Sequence, residues 1–328
     1  MLRFDFGTYP TPVECLERLS NAKSTLWVKR DDLTSSVYGG SKLRKLGPLL
    51  EEASTRGATK LVTIGAVGSH HVLATGVFGK RAGFQVEAVV LRQPRSPHVL
   101  ETVRASIAQG VALVPVTSYA EATRHLASRA ADGAYTIPAG GSNLLGTQGL
   151  LAAAAELAEQ VRARELPEPD LLVLPLGSGG SAAGLAAGVL RAGLRTRVLA
   201  IAVAEPVKVF ARKAYALARE LVEDRSRQAV LERLEVDQRY LGDGYGCPTH
   251  ASQHAMREAA RLGLGLGLDD TYTAKAFAAA LDRVTLARER NILFWHTLSS
   301  APIAPLLIGA PGEHELESEV RRLVLERS

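Results

Sequence analysis

Three stretches of this chain bring together residue types that could do chemistry. In the first, Leu171-Leu172-Val173-Leu174-Pro175-Leu176 runs into Gly177-Ser178-Gly179-Gly180-Ser181 and then into the small-residue segment Ala182–Leu190. A strand that ends in glycines and becomes a helix leaves main-chain N–H groups unpaired at the helix start. Those groups and the helix dipole favour an anion, and glycine lets a phosphate come close to the backbone. Ser178 and Ser181 add hydroxyl donors. The plainer alternative is a tight turn that needs glycine only for its backbone angles. Gly177-x-Gly179-x-x-Ala182 also meets the relaxed dinucleotide fingerprint, with Glu205 placed to bind a ribose, so a nicotinamide-dependent oxidoreductase stays open.

The second stretch is Lys29-Arg30-Asp31-Asp32 followed by Tyr38-Gly39-Gly40-Ser41-Lys42-Leu43-Arg44-Lys45-Leu46. Lysine is scarce, nine residues against thirty arginines, yet Lys42 stands just after two glycines at the mouth of a predicted helix. A cation there opposes the helix dipole, so the position does not suit a purely structural lysine. Cationic neighbours and partial burial would lower its pKa and make the amine a nucleophile of the Schiff-base kind; an ordinary surface lysine is the alternative. The third stretch, Thr63-Ile64-Gly65-Ala66-Val67-Gly68-Ser69-His70-His71, is another strand, glycine turn and helix start, with Ser69 as N-cap. Adjacent histidines point different ways on a helix and make a poor metal pair, so no metal site is expected.

These segments need elements to hold them. Strand patterns at Leu61–Ile64, Val86–Leu91, Val111–Val116, Leu171–Leu176, Val198–Val203 and Ile292–Trp295 alternate with helical patterns at 43–56, 70–81, 96–109, 119–131, 147–164 and 180–191. Such alternation predicts an α/β protein with mainly parallel sheets and right-handed crossovers. The punctuation at Gly140-Gly141-Ser142-Asn143 and Pro167-Glu168-Pro169 suggests an inserted domain. The expected division is a large domain of 1–45 plus 146–328 and a small one of 46–145. The amphipathic end Glu313–Arg327 reads either as a domain cap or as a subunit contact.

Composition narrows the function. The 328 residues are 46% hydrophobic and 22% charged, which excludes a disordered chain. The net charge of +5 is spread over helices that also carry acids, and aromatics are only 5%, so neither nucleic acid nor membrane is expected as a partner. No apolar run approaches the ~20 residues of a membrane span, and the opening Met1-Leu2-Arg3-Phe4-Asp5-Phe6 carries an acid where a signal peptide would be apolar. Cys15 and Cys247 are too few for a disulfide framework, so a cytoplasmic protein is expected.

Taken in order, the segments resemble the pyridoxal-phosphate family of D-cysteine desulfhydrase and 1-aminocyclopropane-1-carboxylate deaminase. Besides the three stretches above, the likeness includes Ile137-Pro138-Ala139-Gly140-Gly141-Ser142-Asn143 and Gly242-Asp243-Gly244-Tyr245-Gly246-Cys247-Pro248-Thr249. It ends with Asp270-Thr271-Tyr272-Thr273-Ala274-Lys275 and Phe294-Trp295-His296-Thr297. The resemblance implies the fold-type-II architecture, like the tryptophan synthase β subunit, with two open twisted, mainly parallel sheets and flanking helices. It implies pyridoxal 5'-phosphate held covalently by Lys42, its phosphate wrapped by Gly177, Ser178, Gly179, Gly180 and Ser181. His70 and Thr273 would also meet the cofactor. Ser69, Tyr245 and Tyr272 would join Lys42 in catalysis, with Ser69, His71, Tyr245 and Thr297 on the substrate. A homodimer is implied as well.

A carboxylate facing the ring nitrogen deepens the cofactor's electron sink. Ring-opening deaminases of the family have glutamate at the position of Thr273, so the threonine implies β-elimination, with a substrate such as D-cysteine giving pyruvate, ammonia and sulfide. Three departures leave other outcomes open. The family's Ser-Asn-His is Ser69-His70-His71, its Gly-Gly-Asn-Lys is Gly39-Gly40-Ser41-Lys42, and its His-Thr-Gly-Gly continues as Leu298-Ser299-Ser300 after Thr297. Ring opening, β-substitution, racemisation, or cofactor binding without turnover stay open beside the leading expectation of a lyase acting on a small amino acid.

Overall fold

The computed structural model describes Phe4 and residues 6–325. The rest of the opening segment and the last residues of the amphipathic end, both read above, lie outside the described residues.

The chain forms two compact units. The larger comprises Gly7–Lys45 and Ser142–Ser300. Its sheet has six strands in the order Val13–Cys15, Thr25–Lys29, Asn291–Trp295, Leu171–Leu176, Arg197–Ala202, Leu234–Asp237. Only the first pair is antiparallel. The continuous apolar run Leu171–Leu176 is buried throughout because both faces of the sheet are covered. Strand alternation sends Leu172, Leu174 and Leu176 into one core with the helices Leu144–Arg162, Gly180–Arg191 and Val207–Glu220. Leu171 and Val173 enter the other core, with the helices His250–Arg261 and Thr273–Leu286. Each such fully buried leucine contributes about 1.5–3 kcal/mol.

Parallel pairing has a further effect. Thr25–Lys29, Asn291–Trp295 and Leu171–Leu176 run side by side in one direction, so their carboxyl ends share one edge of the sheet. The chain leaves that edge toward Lys42, Thr297 and Gly177 respectively. The carboxyl edge of an open parallel sheet is where α/β proteins place ligands.

The smaller unit comprises Leu46–Gly141 with the described residues before Gly7 and those from Ala301 on. Its four parallel strands lie in the order Val111–Pro115, Gln85–Leu91, Lys60–Ala66, Tyr135–Ile137. Val62, Ile64, Val89, Val116 and Ala122 form one of its apolar clusters. The inserted segment of this unit is Leu46–Gly141. The tail differs from the expectation, which joined it to the large domain. Val324–Leu325 pairs in parallel with Gln93–Pro94, and Arg104 Nε donates to the Pro311 carbonyl at 2.7 Å, which ties the tail to the smaller unit. A two-residue strand carries no periodicity from which this could be read. Among the described residues, no helix is long and apolar enough to cross a membrane.

Glu87, on Gln85–Leu91, gives this unit a pH dependence. Burial alone would raise its carboxyl, but hydrogen bonds from Lys60, His125 and Arg129 outweigh that and hold it at about 2. With an ordinary value of 4.5, the stabilisation is complete above about pH 5 and is lost as pH falls from 4.5 toward 2. Glu87→Gln is expected to cost roughly 2 kcal/mol in urea unfolding at pH 7, and the deficit should vanish near pH 2. A deficit independent of pH would contradict the ion cluster.

Candidate active site

The candidate site is described from the larger unit, where Lys42 occupies the first turn of the helix Ser41–Thr55. That turn is pinned from beneath. Asp31 accepts from Ser41 Oγ at 2.7 Å and from Arg44 Nη2 at 2.7 Å, and Arg44 Nη1 donates to Glu156 at 3.0 Å. Burial would raise the Asp31 carboxyl, but the Arg44 guanidinium outweighs it and holds it below its ordinary value. The residues on either side of Lys42 are therefore fixed, and its own side chain is left half-buried. Burial lowers the Lys42 ammonium, opposed by Asp269. The expected cationic crowding falls instead on Lys45, one helical turn along. Its ammonium lies well below the ordinary value through burial, then Lys42, then Lys213.

The glycine turn at the end of Leu171–Leu176 forms as the sequence predicts. Gly179, in the left-handed region at φ 92°, caps the helix Gly180–Arg191. Two residues that sequence reasoning missed converge on it. Ser142 Oγ accepts from Gly180 N at 3.2 Å, lies 2.7 Å from Ser178 Oγ, and accepts from Lys45 Nζ at 3.1 Å. A Cβ at position 180 would stand 2.5 Å from Ser142 Oγ and 3.0 Å from Lys45 Nζ, so only glycine admits this gathering. Main-chain N–H groups, serine hydroxyls and a buried ammonium make an anion cradle suited to a phosphate. The one available signal was the spacing of Lys42 and Lys45, which puts both on neighbouring positions of one helix face. Ser142, 97 residues away from Lys45, had none.

Tyr272 joins the amine to the cradle. The Lys42 Nζ lies 5.7 Å from the centre of the Tyr272 ring, and a Cβ at Gly177 would meet that ring at 3.1 Å. Tyr245 meets Tyr272 edge-on, with the two hydroxyls 2.7 Å apart. Burial pushes the Tyr245 phenol up to about 12, and burial with the Tyr245 contact pushes Tyr272 well above its ordinary value. Both phenols are therefore neutral near pH 7. Thr273 is fully buried, and its hydroxyl donates to Asp269 Oδ1 at 2.6 Å. The Thr297 carbonyl accepts from Ser41 N at 3.1 Å. Beyond it, the substituted Ser299 and Ser300 turn back on the chain. Ser299 Oγ accepts from Gly39 N, and Ser300 Oγ donates to Asp32 at 2.6 Å.

Ser69, His70 and His71 belong to the smaller unit. Ser69 caps the helix His70–Arg81 and accepts from His71 N at 3.2 Å. His70 Nε2 lies 2.9 Å from His98 Nε2, and His71 Nε2 lies 2.9 Å from Thr63 Oγ1. Glu205, the acid a dinucleotide would need, is exposed.

The model of a family described as pyridoxal-phosphate dependent enzyme matches residues 5–297. The chain is 34% identical over 306 residues to the D-cysteine desulfhydrase of Klebsiella pneumoniae, covering 88% of this chain and 91% of that protein. It is 33% identical over 309 residues to a Thermotoga maritima protein provisionally named 1-aminocyclopropane-1-carboxylate deaminase, covering 90% and 96%. A crystal structure of an ACC deaminase homologue matches with a TM-score of 0.77 at 26% identity, over 94% of this chain and 97% of that one. A phosphate-bearing aldehyde suits both the cradle and the half-buried amine beside it. The chain belongs to the pyridoxal-phosphate-dependent enzymes, and its cofactor is pyridoxal 5'-phosphate.

Proposed function

We propose that the protein is a lyase for a small amino acid and that it converts D-cysteine and water to pyruvate, ammonia and hydrogen sulfide. The observation that carries this reading is the Tyr272 ring, which contacts the Gly177 turn and lies 5.7 Å from the Lys42 amine. When bound, the cofactor supplies an electron sink for the α-carbon of an amino acid.

The chain's own residues divide the remaining work. Lys42 would provide the amine that holds the cofactor, and burial, which lowers its ammonium, would suit that amine to take the α-proton. Gly177–Ser181, with Ser142 and Lys45, bind the phosphate. Tyr245 and Tyr272, both neutral, hand a proton to the departing sulfur. Thr273 would serve the cofactor's ring nitrogen and Thr297 the substrate. The family resemblance assigns Ser69 to the substrate as carboxylate binder or proton carrier, His71 to the substrate as well, and His70 to the cofactor. The Ser69 hydroxyl proton has no acceptor among the described residues, which leaves it available for either task. Elimination suits a site that offers a proton to a leaving group. The nicotinamide reading leaves Lys42 without a role. A cytoplasmic homodimer belongs to the same proposal.

Purified protein incubated with D-cysteine is expected to release pyruvate and sulfide in equal amounts, with L-cysteine and the cyclopropane amino acid as comparators. Turnover of the cyclopropane substrate with none of D-cysteine would replace elimination by ring opening, and a coloured protein inert to all three would leave a binding protein. Gly180→Ala tests the cradle separately. Its methyl group displaces Ser142 and Lys45, so cofactor affinity in an absorbance titration should fall about tenfold to a hundredfold, or 1.4–2.7 kcal/mol. Unchanged affinity would remove Ser142 and Lys45 from the phosphate site.

A further inference from the structure

Thr273 is not a lone hydroxyl. The carboxylate of Asp269, four residues ahead of the helix Thr273–Leu286, gathers the donors of this segment. Thr271 N and Tyr272 N donate to Oδ2 at 3.2 and 3.0 Å; Thr273 N and Thr273 Oγ1 donate to Oδ1 at 2.9 and 2.6 Å. In return, Thr273 Oγ1 accepts from Asp269 N at 2.8 Å. Asp269 is 5% exposed and Thr273 fully buried, so water does not compete for these bonds.

The bonding leaves the hydroxyl one-sided. A threonine hydroxyl has one proton and two lone pairs. The proton is committed to a carboxylate and one lone pair to a main-chain N–H, so a ligand finds only an acceptor. A pyridine nitrogen without a proton needs a donor and gains nothing there. A protonated one donates its N–H to Thr273 and also benefits from the Asp269 charge behind it. We infer that Asp269, acting through Thr273, keeps the ring nitrogen of the bound cofactor protonated. This rests on the proposed placement of Thr273 at that nitrogen. It also revises the sequence expectation that threonine in place of glutamate makes a shallow electron sink, because the carboxylate is present one hydroxyl further back.

The test uses the holoenzyme loaded with cofactor labelled with nitrogen-15 in the ring. At pH 7.5 the wild-type resonance is expected at the position of a protonated ring nitrogen. In Asp269→Asn the amide oxygen best replaces Oδ2, which takes two main-chain donors. The amide NH2 then faces Thr273, freeing the hydroxyl proton to donate, and the resonance should move toward the unprotonated position. Thr273→Ser and Asp270→Asn should leave it at the wild-type position. If Asp269→Asn does not hold the cofactor, Thr273→Val takes its place with the same expected shift. An unprotonated wild type, or a resonance unmoved in the Asp269 or Val variant, overturns the inference while leaving the site intact, provided borohydride has fixed the label to Lys42. A label fixed elsewhere overturns the placement of Thr273 and the inference together.

Discussion

Lys42→Ala is expected to abolish the visible colour of the protein and to lower turnover by at least about a thousandfold. The amine holds the cofactor and moves the α-proton, so its removal takes away two functions at once. The fold should survive, because the half-buried ammonium makes no hydrogen bond among the described residues, while its neighbours Ser41 and Arg44 carry the bonds to Asp31. The variant's urea midpoint should therefore stay near that of the apo wild type. A free primary amine added at high concentration should restore part of the activity, as expected when an amine and not a shape has been lost. Retention of most of the activity in Lys42→Ala would transfer both functions to another lysine.

The tyrosine pair has the next largest expected effect. Tyr245→Phe and Tyr272→Phe should each lower kcat about a hundredfold to ten-thousandfold, the range of a positioned proton donor. The two hydroxyls are 2.7 Å apart, so either loss strands the other. The double variant is accordingly expected to be little worse than the poorer single one. Fully additive losses would mean that the phenols act separately. The pH dependence adds a sign to this. Burial raises both phenols, Tyr245 to about 12, so they stay protonated and add no basic limb to the rate profile below about pH 9. A basic limb near pH 8 that disappears in either phenylalanine variant would contradict the role of neutral donors.

What could be read from the sequence followed from local chemistry. Leu171–Leu176 was legible as a doubly covered strand because every residue is apolar, and Gly177–Ser181 as an anion turn because glycines follow it directly. The helices at 70–81, 119–131 and 180–191 appeared with the bounds expected, each with a pattern long enough to register. The short strands Val13–Cys15, Tyr135–Ile137 and Gln93–Pro94 were not legible, since two or three residues carry no period. Distance in sequence hid the rest. Lys45 and Ser142 lie 97 residues apart, so apart from the helical spacing of Lys42 and Lys45 nothing local marks either as part of the cradle. Asp269 lay just ahead of the motif that drew attention, and its bond to Thr273 exists only once the helix has begun. Each gap hides a contact that the structure shows: Lys45 and Ser142 at the glycine turn, and Asp269 on the Thr273 hydroxyl.

The covalent role of Lys42 is tested most directly by reducing the coloured protein with borohydride and locating the added mass by peptide fragmentation. Lys45 makes this a demanding test, because a second amine lies 3.1 Å from Ser142 at the same glycine turn and only three residues away. The phosphopyridoxyl group is expected on Lys42 alone. Its appearance on Lys45, on Lys213 or on no lysine would contradict the account.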